Sequence, residues 1–199
     1  EILGPGGAIY NAREHLRRED AFCVANVDIV SNIDLSDCYH RFLASDRSAG
    51  LVCVERTRGH GTICINSEDQ TYRGCGCQQS SPNCHGSDFV GIAFYRKEFL
   101  EHFIADDFSI VKIWDRAMDA GDAPGVILVE QPQTHWYDLG TPENLFQAYM
   151  AALNGLLPVK FPDFMNWDRL RACAYHQTLS REMSKEIDRC WIETSTLPK

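Results

Sequence analysis

The sequence lacks any run of about 20 apolar residues, so it contains no evident membrane-spanning helix, and no basic-then-apolar leader precedes its first strand. It reads as a soluble, cytoplasmic protein. Positive charge is also in short supply: 19 Lys and Arg stand against 28 Asp and Glu, a net charge of −9. That balance argues against a protein held on nucleic acid by counterion release, and an anionic ligand would need help from a cation or a local pocket. No repeat or low-complexity tract is evident. With 44% hydrophobic and 24% charged residues in 199, the composition is that of a folded domain. A chain of this length buries roughly 70% of the surface its unfolded form exposes and needs neither disulfide nor metal to close a core. Cysteine is plentiful, but nine scattered thiols read as reduced side chains rather than a disulfide framework. Missing, too, is any element ahead of the first glycines: Glu1-Ile2-Leu3-Gly4-Pro5-Gly6-Gly7 reads as a chain without its beginning.

The periodicity that is present points to α/β organisation. A glycine-rich turn feeds a helix over Ala8 to Leu16, with Ala8, Ile9, Ala12 and Leu16 on one face. Ala21 to Val27 is a short apolar run suited to a strand buried on both faces of a parallel sheet, with Asp28 at its end. Leu35 to Ala44 reads as a helix behind Asp34 as cap, and Leu51 to Glu55 as another buried strand. Strand, helix, strand at this spacing is a crossover unit. Short alternating runs at Gly61 to Asn66 and Gln70 to Gly74 suggest a small inserted hairpin. Asp88 to Tyr95 returns as a strand, Arg96 to Phe103 forms a short helix, and Ser109 caps an amphipathic helix that Gly121 ends. Val126 to Val129 and Thr134 to Tyr137 are further strands, and Thr141 with Pro142 opens a helix running to about Leu153. Residues 155–199 read as a helical extension, with helices near Asp168 to His176 and Ser180 to Trp191 and apolar positions suited to packing or to a homo-oligomer contact. The expected fold is thus α/β and Rossmann-like: a mostly parallel mixed sheet flanked by helices over residues 1–154, followed by that extension.

Three features fall where open α/β sheets hold ligands, at the carboxyl ends of strands. The Gly4 to Gly7 turn would let a ligand approach backbone amides and a helix N-terminus, or is simply a tight turn. Asp28 ends an apolar strand, and a carboxylate there needs a partner or a cation. Asp138 follows a second β run and precedes a capped helix. Two such carboxylates suit Mg²⁺, which binds through one or two carboxylates plus substrate phosphates.

Five segments resemble, in order and at similar spacing, the sugar-1-phosphate nucleotidyltransferases, such as mannose-1-phosphate guanylyltransferase-like and glucose-1-phosphate thymidylyltransferase-like enzymes. They are Leu3 to Ile9, Phe22 to Ile29, Phe89 to Ile92, Phe108 to Ile110 and Trp136 to Leu145, spread over about three quarters of the chain, Glu1 to Leu153. The resemblance implies transfer of a nucleotidyl group from a nucleoside triphosphate to a sugar 1-phosphate, with pyrophosphate released. It implies that Leu3, Gly4, Gly6 and Gly7 help hold the base, that Asn26 and Asp28 form a strand end whose carboxylate binds Mg²⁺, that Val90 and Gly91 help bind the sugar, and that Asp138 is the second metal ligand.

The departures are Pro5 where the family has Thr, Val27 where it has Gly, and Val90 where it has Thr. The family's first strand, Gly-x-Gly-Thr-Arg triphosphate loop and Pro-Lys step are not among these residues, the stretch where many members carry a hairpin Lys reads Arg73-Gly74-Cys75-Gly76-Cys77-Gln78-Gln79, and Arg56-Thr57-Arg58 resembles the basic pair some members place before the hairpin. Two further readings follow: a non-catalytic nucleotide-sugar-binding or regulatory relative, and a zinc-stabilised interaction module built on Cys75, Cys77, Cys84 and His85, four soft or imidazole ligands within eleven residues.

Overall fold

The computed structural model describes residues 3–55, 61–77, 83–129 and 134–157, so the expected helices beyond Leu157 and the Arg56–Arg58 stretch lie outside the described residues. The chain forms two compact units, Glu1–Ile29 with Ile33–Trp136, and Val30–Asn32 with Tyr137–Lys199.

In the first unit the elements run α1 (Gly4–Leu16), β1 (Ala21–Ala25), α2 (Leu35–Ala44), β3 (Ala49–Glu55), β4 (Gly61–Asn66), β5 (Tyr72–Cys77), β6 (Cys84–Arg96), a 3-10 helix (Lys97–His102), α3 (Ile110–Asp119) and β7 (Gly125–Val129); β2 (Ile29–Ser31) follows β1 in the chain. Six strands form one sheet in the order β5-β4-β6-β3-β7, with β1 also on β6. The 13-residue β6 organises it. One edge pairs with β3 along its length, while the other takes β4 at Cys84 to Ser87 and β1 at Ile92 to Arg96.

The α/β class with a mixed sheet and flanking helices is as expected, but the sheet is not mostly parallel. β3 and β7 pair parallel, and the other four pairings are antiparallel. The crossover reading erred in adjacency rather than direction: β1 and β3 both run antiparallel to β6, hence parallel to each other, but β6 lies between them. A short apolar run carries no signal of its neighbour's direction. β1 is also an edge strand and only Phe22 in it is buried, whereas every residue of β3 except Glu55 is buried.

Strand alternation divides the core between the two sheet faces. Ala49, Leu51 and Cys53 of β3, with Ala93 and Tyr95 of β6, pack under Ile9 of α1 and Ile113, Trp114 and Ala117 of α3. Val52 and Val54, with Val90, Ile92 and Phe94, pack under Cys38 and Phe42 of α2. The buried Trp114 indole donates to the Tyr95 hydroxyl at 3.0 Å, which gives that polar tip a partner. The β4–β5 hairpin is part of the sheet: Ile63, Ile65 and Tyr72 join the first core. Its tip is tied to β7 by Tyr72 N–H to Pro124 O at 2.9 Å and Val126 N–H to Gln70 O at 2.8 Å.

Helix ends follow the expected chemistry in part. The Asp34 carboxylate accepts the amides of Ser36 at 2.9 Å and Asp37 at 3.1 Å. Gly121, at φ +82°, lies just past the end of α3, but Ser109 makes no side-chain cap at its start. α1 begins at Gly4, four residues before the expected start at Ala8, because Pro5 in the first turn forfeits an amide that needs no helical partner.

In the second unit, β2 and β8 (Trp136–Asp138) pair as a two-stranded sheet, and α4 (Pro142–Leu153) follows. Thr141 caps α4 by accepting Asn144 N–H at 3.2 Å, and Pro142 takes the first helical position, as read from the sequence.

Candidate functional site

The candidate residues fall in three places. The first is the glycine segment. Leu3 is the N-terminal flanking residue of α1, and Gly4, Gly6 and Gly7 form its first turn, with Gly6 and Gly7 buried. The residue these glycines accommodate is the protein's own Phe108. A Cβ on Gly4, which has φ +60°, would lie 2.4 Å from Phe108 O, and one on Gly6 would lie 2.3 Å from Asp107 O. Gly6 donates its N–H to Phe108 O at 3.0 Å, Gly7 donates to Leu3 O at 3.2 Å, and Pro5 has no N–H. The turn therefore packs α1 against the segment leading to α3.

The second place is the end of β1 and the middle of β6. The Leu51–Cys53 step of β3 faces Ala93 to Phe89 of β6, so two positions on one strand oppose four on the other. Residues 90–92 thus form a bulge, which bends the strand and frees ladder groups. Gly91 supplies the φ of +81° that the bulge requires. Its carbonyl accepts Asn26 N–H at 2.9 Å. A Cβ on Gly91 would lie 2.9 Å from Ile29 Cγ1 and 3.1 Å from Asn26 Nδ2. Asn26 and Gly91 are therefore brought together. Val90 is fully buried in the second core, so it offers a ligand no side chain, and its carbonyl accepts the Trp136 indole N–H at 2.9 Å.

Val27 and Asp28 form the turn leaving β1, and both are exposed; Val27 is among the exposed large apolar side chains. Gln70 is the non-glycine residue with positive φ among the described residues, so Val27 occupies the family's glycine position without left-handed strain. The third place is Asp138, exposed at the end of β8, whose Oδ1 accepts Gly140 N–H at 2.8 Å in a side-chain turn. Asp28 belongs to the first unit and Asp138 to the second.

The zinc reading fails on sheet order. Cys75 lies on β5, and Cys84 and His85 on β6, with β4 between them. Cys75 is thus about 9.5 Å across the sheet from the strand of Cys84 and His85. Among the described residues no three His, Cys, Asp or Glu side chains group to hold a metal, and His85 Nδ1 instead lies 3.2 Å from Ser67 Oγ. Elsewhere, burial, with the Asp88 carboxylate adding to it, pushes the Cys53 thiol well above its ordinary range. Among the described residues no helix is long and apolar enough to cross a membrane.

Sequence reasoning missed the Trp136–Val90 and Gly6–Phe108 bonds. The first had a signal, since an indole N–H beside a strand end needs an acceptor. The second had none, because the two segments lie about a hundred residues apart in the chain.

No protein-family model matches the sequence, and no curated protein is detectably similar to it. Solved structures share its fold. UTP-bound UGPase from Acinetobacter baumannii aligns with a TM-score of 0.63 at 14% identity, over 92% of this chain and 64% of that one. HddC from Yersinia pseudotuberculosis, complexed with GMP-PN, aligns at 0.57 and 22% identity, over 74% and 62%. The inositol-1-phosphate CTP transferase from T. maritima aligns at 0.54 and 14% identity, over 72% and 58%. The chain spans about three fifths of the length of these structures. The chain thus shares the fold of these structures.

Proposed function

We propose that the protein to which this chain belongs is a nucleotidyltransferase that makes a nucleotide sugar from a sugar 1-phosphate and a nucleoside triphosphate. The observation that carries the reading is Asp28. In a chain with this fold, an exposed carboxylate leaves the carboxyl end of β1 on a turn whose first residue, Asn26, is anchored to the Gly91 carbonyl at 2.9 Å. In the proposed reaction a phosphate oxygen of the sugar 1-phosphate attacks the α-phosphorus. The bond from that phosphorus to the bridging oxygen breaks, and pyrophosphate leaves with the electron pair. Such transfer rests on positioning and charge stabilisation, so it asks little proton chemistry of the protein.

Asp28 is the proposed Mg²⁺ ligand of the first unit, and Asp138 is a proposed ligand in the second. Both are exposed hard-oxygen donors, the Asp28 carboxylate bonds to no other described residue, and Asp138 bonds Gly140 through one oxygen only. Mg²⁺ would neutralise phosphate charge beside a protein of net charge −9. The base and the sugar would be held by backbone. Val90 and Gly91 are both buried, so Asn26 is the exposed residue of that region that a ligand could reach.

A second reading, a non-catalytic nucleotide-sugar-binding relative, draws on the glycine segment, where Gly6 gives its amide to Phe108 and Pro5 has none to give. One assay separates the two. The full-length protein, incubated with each nucleoside triphosphate and a panel of sugar 1-phosphates in Mg²⁺, releases pyrophosphate if the first reading holds. Binding of nucleotide sugar with no pyrophosphate from any pair leaves the second.

A further inference from the structure

The bulge in β6 leaves residues 90–92 unpaired with β3, and the carbonyls of Val90 and Gly91 each have a donor in the first unit, the second by continuing the β1–β6 register one residue past Ala25 and Ile92. Val90 O receives the Trp136 indole N–H and Gly91 O receives the Asn26 backbone N–H, each at 2.9 Å. Val90 is itself fully buried in the second core, and Trp136 packs against that same core, so the Val90 side chain and the indole hold the bulge together. Asn26 is the first residue past β1, and the exposed Val27–Asp28 turn follows directly. A turn so exposed has little else to fix it.

From this we infer that Trp136 is a positioning residue: by holding the Val90 carbonyl it fixes the bulge on which Asn26 hangs, and so sets where Asp28 presents its carboxylate. The inference deepens the proposed function, resting on it for the role of Asp28, but the clamp itself can be measured without any ligand. Neither Trp136 nor Val90 touches substrate in this account. The residues concerned lie within one unit, and the chain of contacts is short: indole to Val90, Gly91 to Asn26, Asn26 to Asp28.

The test is amide hydrogen exchange in the protein and in Trp136→Phe, which keeps a ring and removes the donor. Loss of one such bond corresponds to about a fivefold change in a local opening equilibrium. Exchange at Asn26 should therefore quicken about fivefold while Val52, in the middle of β3, holds its rate. An unchanged Asn26 rate, or equal acceleration at Val52, overturns the inference. The same variants are titrated with Mn²⁺ followed by electron paramagnetic resonance. The inference expects a several-fold weaker Mn²⁺ affinity in Trp136→Phe. If Asp28→Asn abolishes binding and Trp136→Phe leaves it untouched, the positioning role is overturned. If Asn26 responds to Trp136→Phe yet Asp28→Asn binds Mn²⁺ like the parent, the clamp stands and the metal assignment of Asp28 falls.

Discussion

Two glycine-bearing segments meet different neighbours in the fold, one a backbone and the other side chains. Gly4 to Gly7 reads in the sequence as a ligand-approach loop or a tight turn, and in the fold the backbone of Asp107 and Phe108 lies against it and takes the amide of Gly6. Gly91 sits in a strand and carried no turn signal, yet it forms a bulge at φ +81° against Asn26 and Ile29, beside an exposed carboxylate turn. A glycine marks a close approach of something; the rest of the fold decides whether that something is protein or ligand.

The comparison can be broken by adding a methyl group to each. Gly6→Ala puts a Cβ 2.3 Å from a backbone oxygen, which cannot give way as a flexible side chain does. We expect about 3 kcal/mol of lost stability by urea denaturation, the range of severe overpacking. Gly91→Ala meets side-chain atoms of Ile29 and Asn26 that can shift, but it forces alanine to a positive φ. The expected loss is smaller, about 1–2 kcal/mol. A loss at Gly91 exceeding that at Gly6 would reverse the assignment of the rigid contact.

The helix starts offer a milder contrast. Asp34→Ala removes two capping bonds and should cost about 1 kcal/mol, whereas Ser109→Ala removes no cap and should cost a few tenths at most, both by thermal melting. Smallest in energy is a contrast of reactivity. Cys53 is buried and its thiol is pushed up, so in the native protein it should resist iodoacetamide at neutral pH while the exposed Cys75 is alkylated, as read by peptide mass mapping.

What was legible in the sequence was what local chemistry dictates. The α2 helix over Leu35–Ala44, the Asp34 and Thr141 caps, Gly121 past α3 and the burial of β3 all follow from spacing within a few residues. What was not legible depended on partners distant in the chain. Apolar runs do not say that β6 separates β1 from β3, and valine at position 90 does not say that it lies in a bulge with its carbonyl under an indole. For the candidate site, Asp28 was legible as a carboxylate ending an apolar strand and Gly91 through the resemblance, while the bond that brings Asn26 to Gly91 came only from the fold.

The central claim is that the Asp28 turn, anchored on the Gly91 bulge, presents a carboxylate for a metal-bound nucleotide. Isothermal titration of nucleoside triphosphates into the protein and into Asp28→Asn, with and without Mg²⁺, tests it most directly. The account predicts Mg²⁺-dependent binding that weakens by about tenfold or more in Asp28→Asn, a loss of about 1.4 kcal/mol or greater. Equal affinity of the two proteins in Mg²⁺ would contradict it.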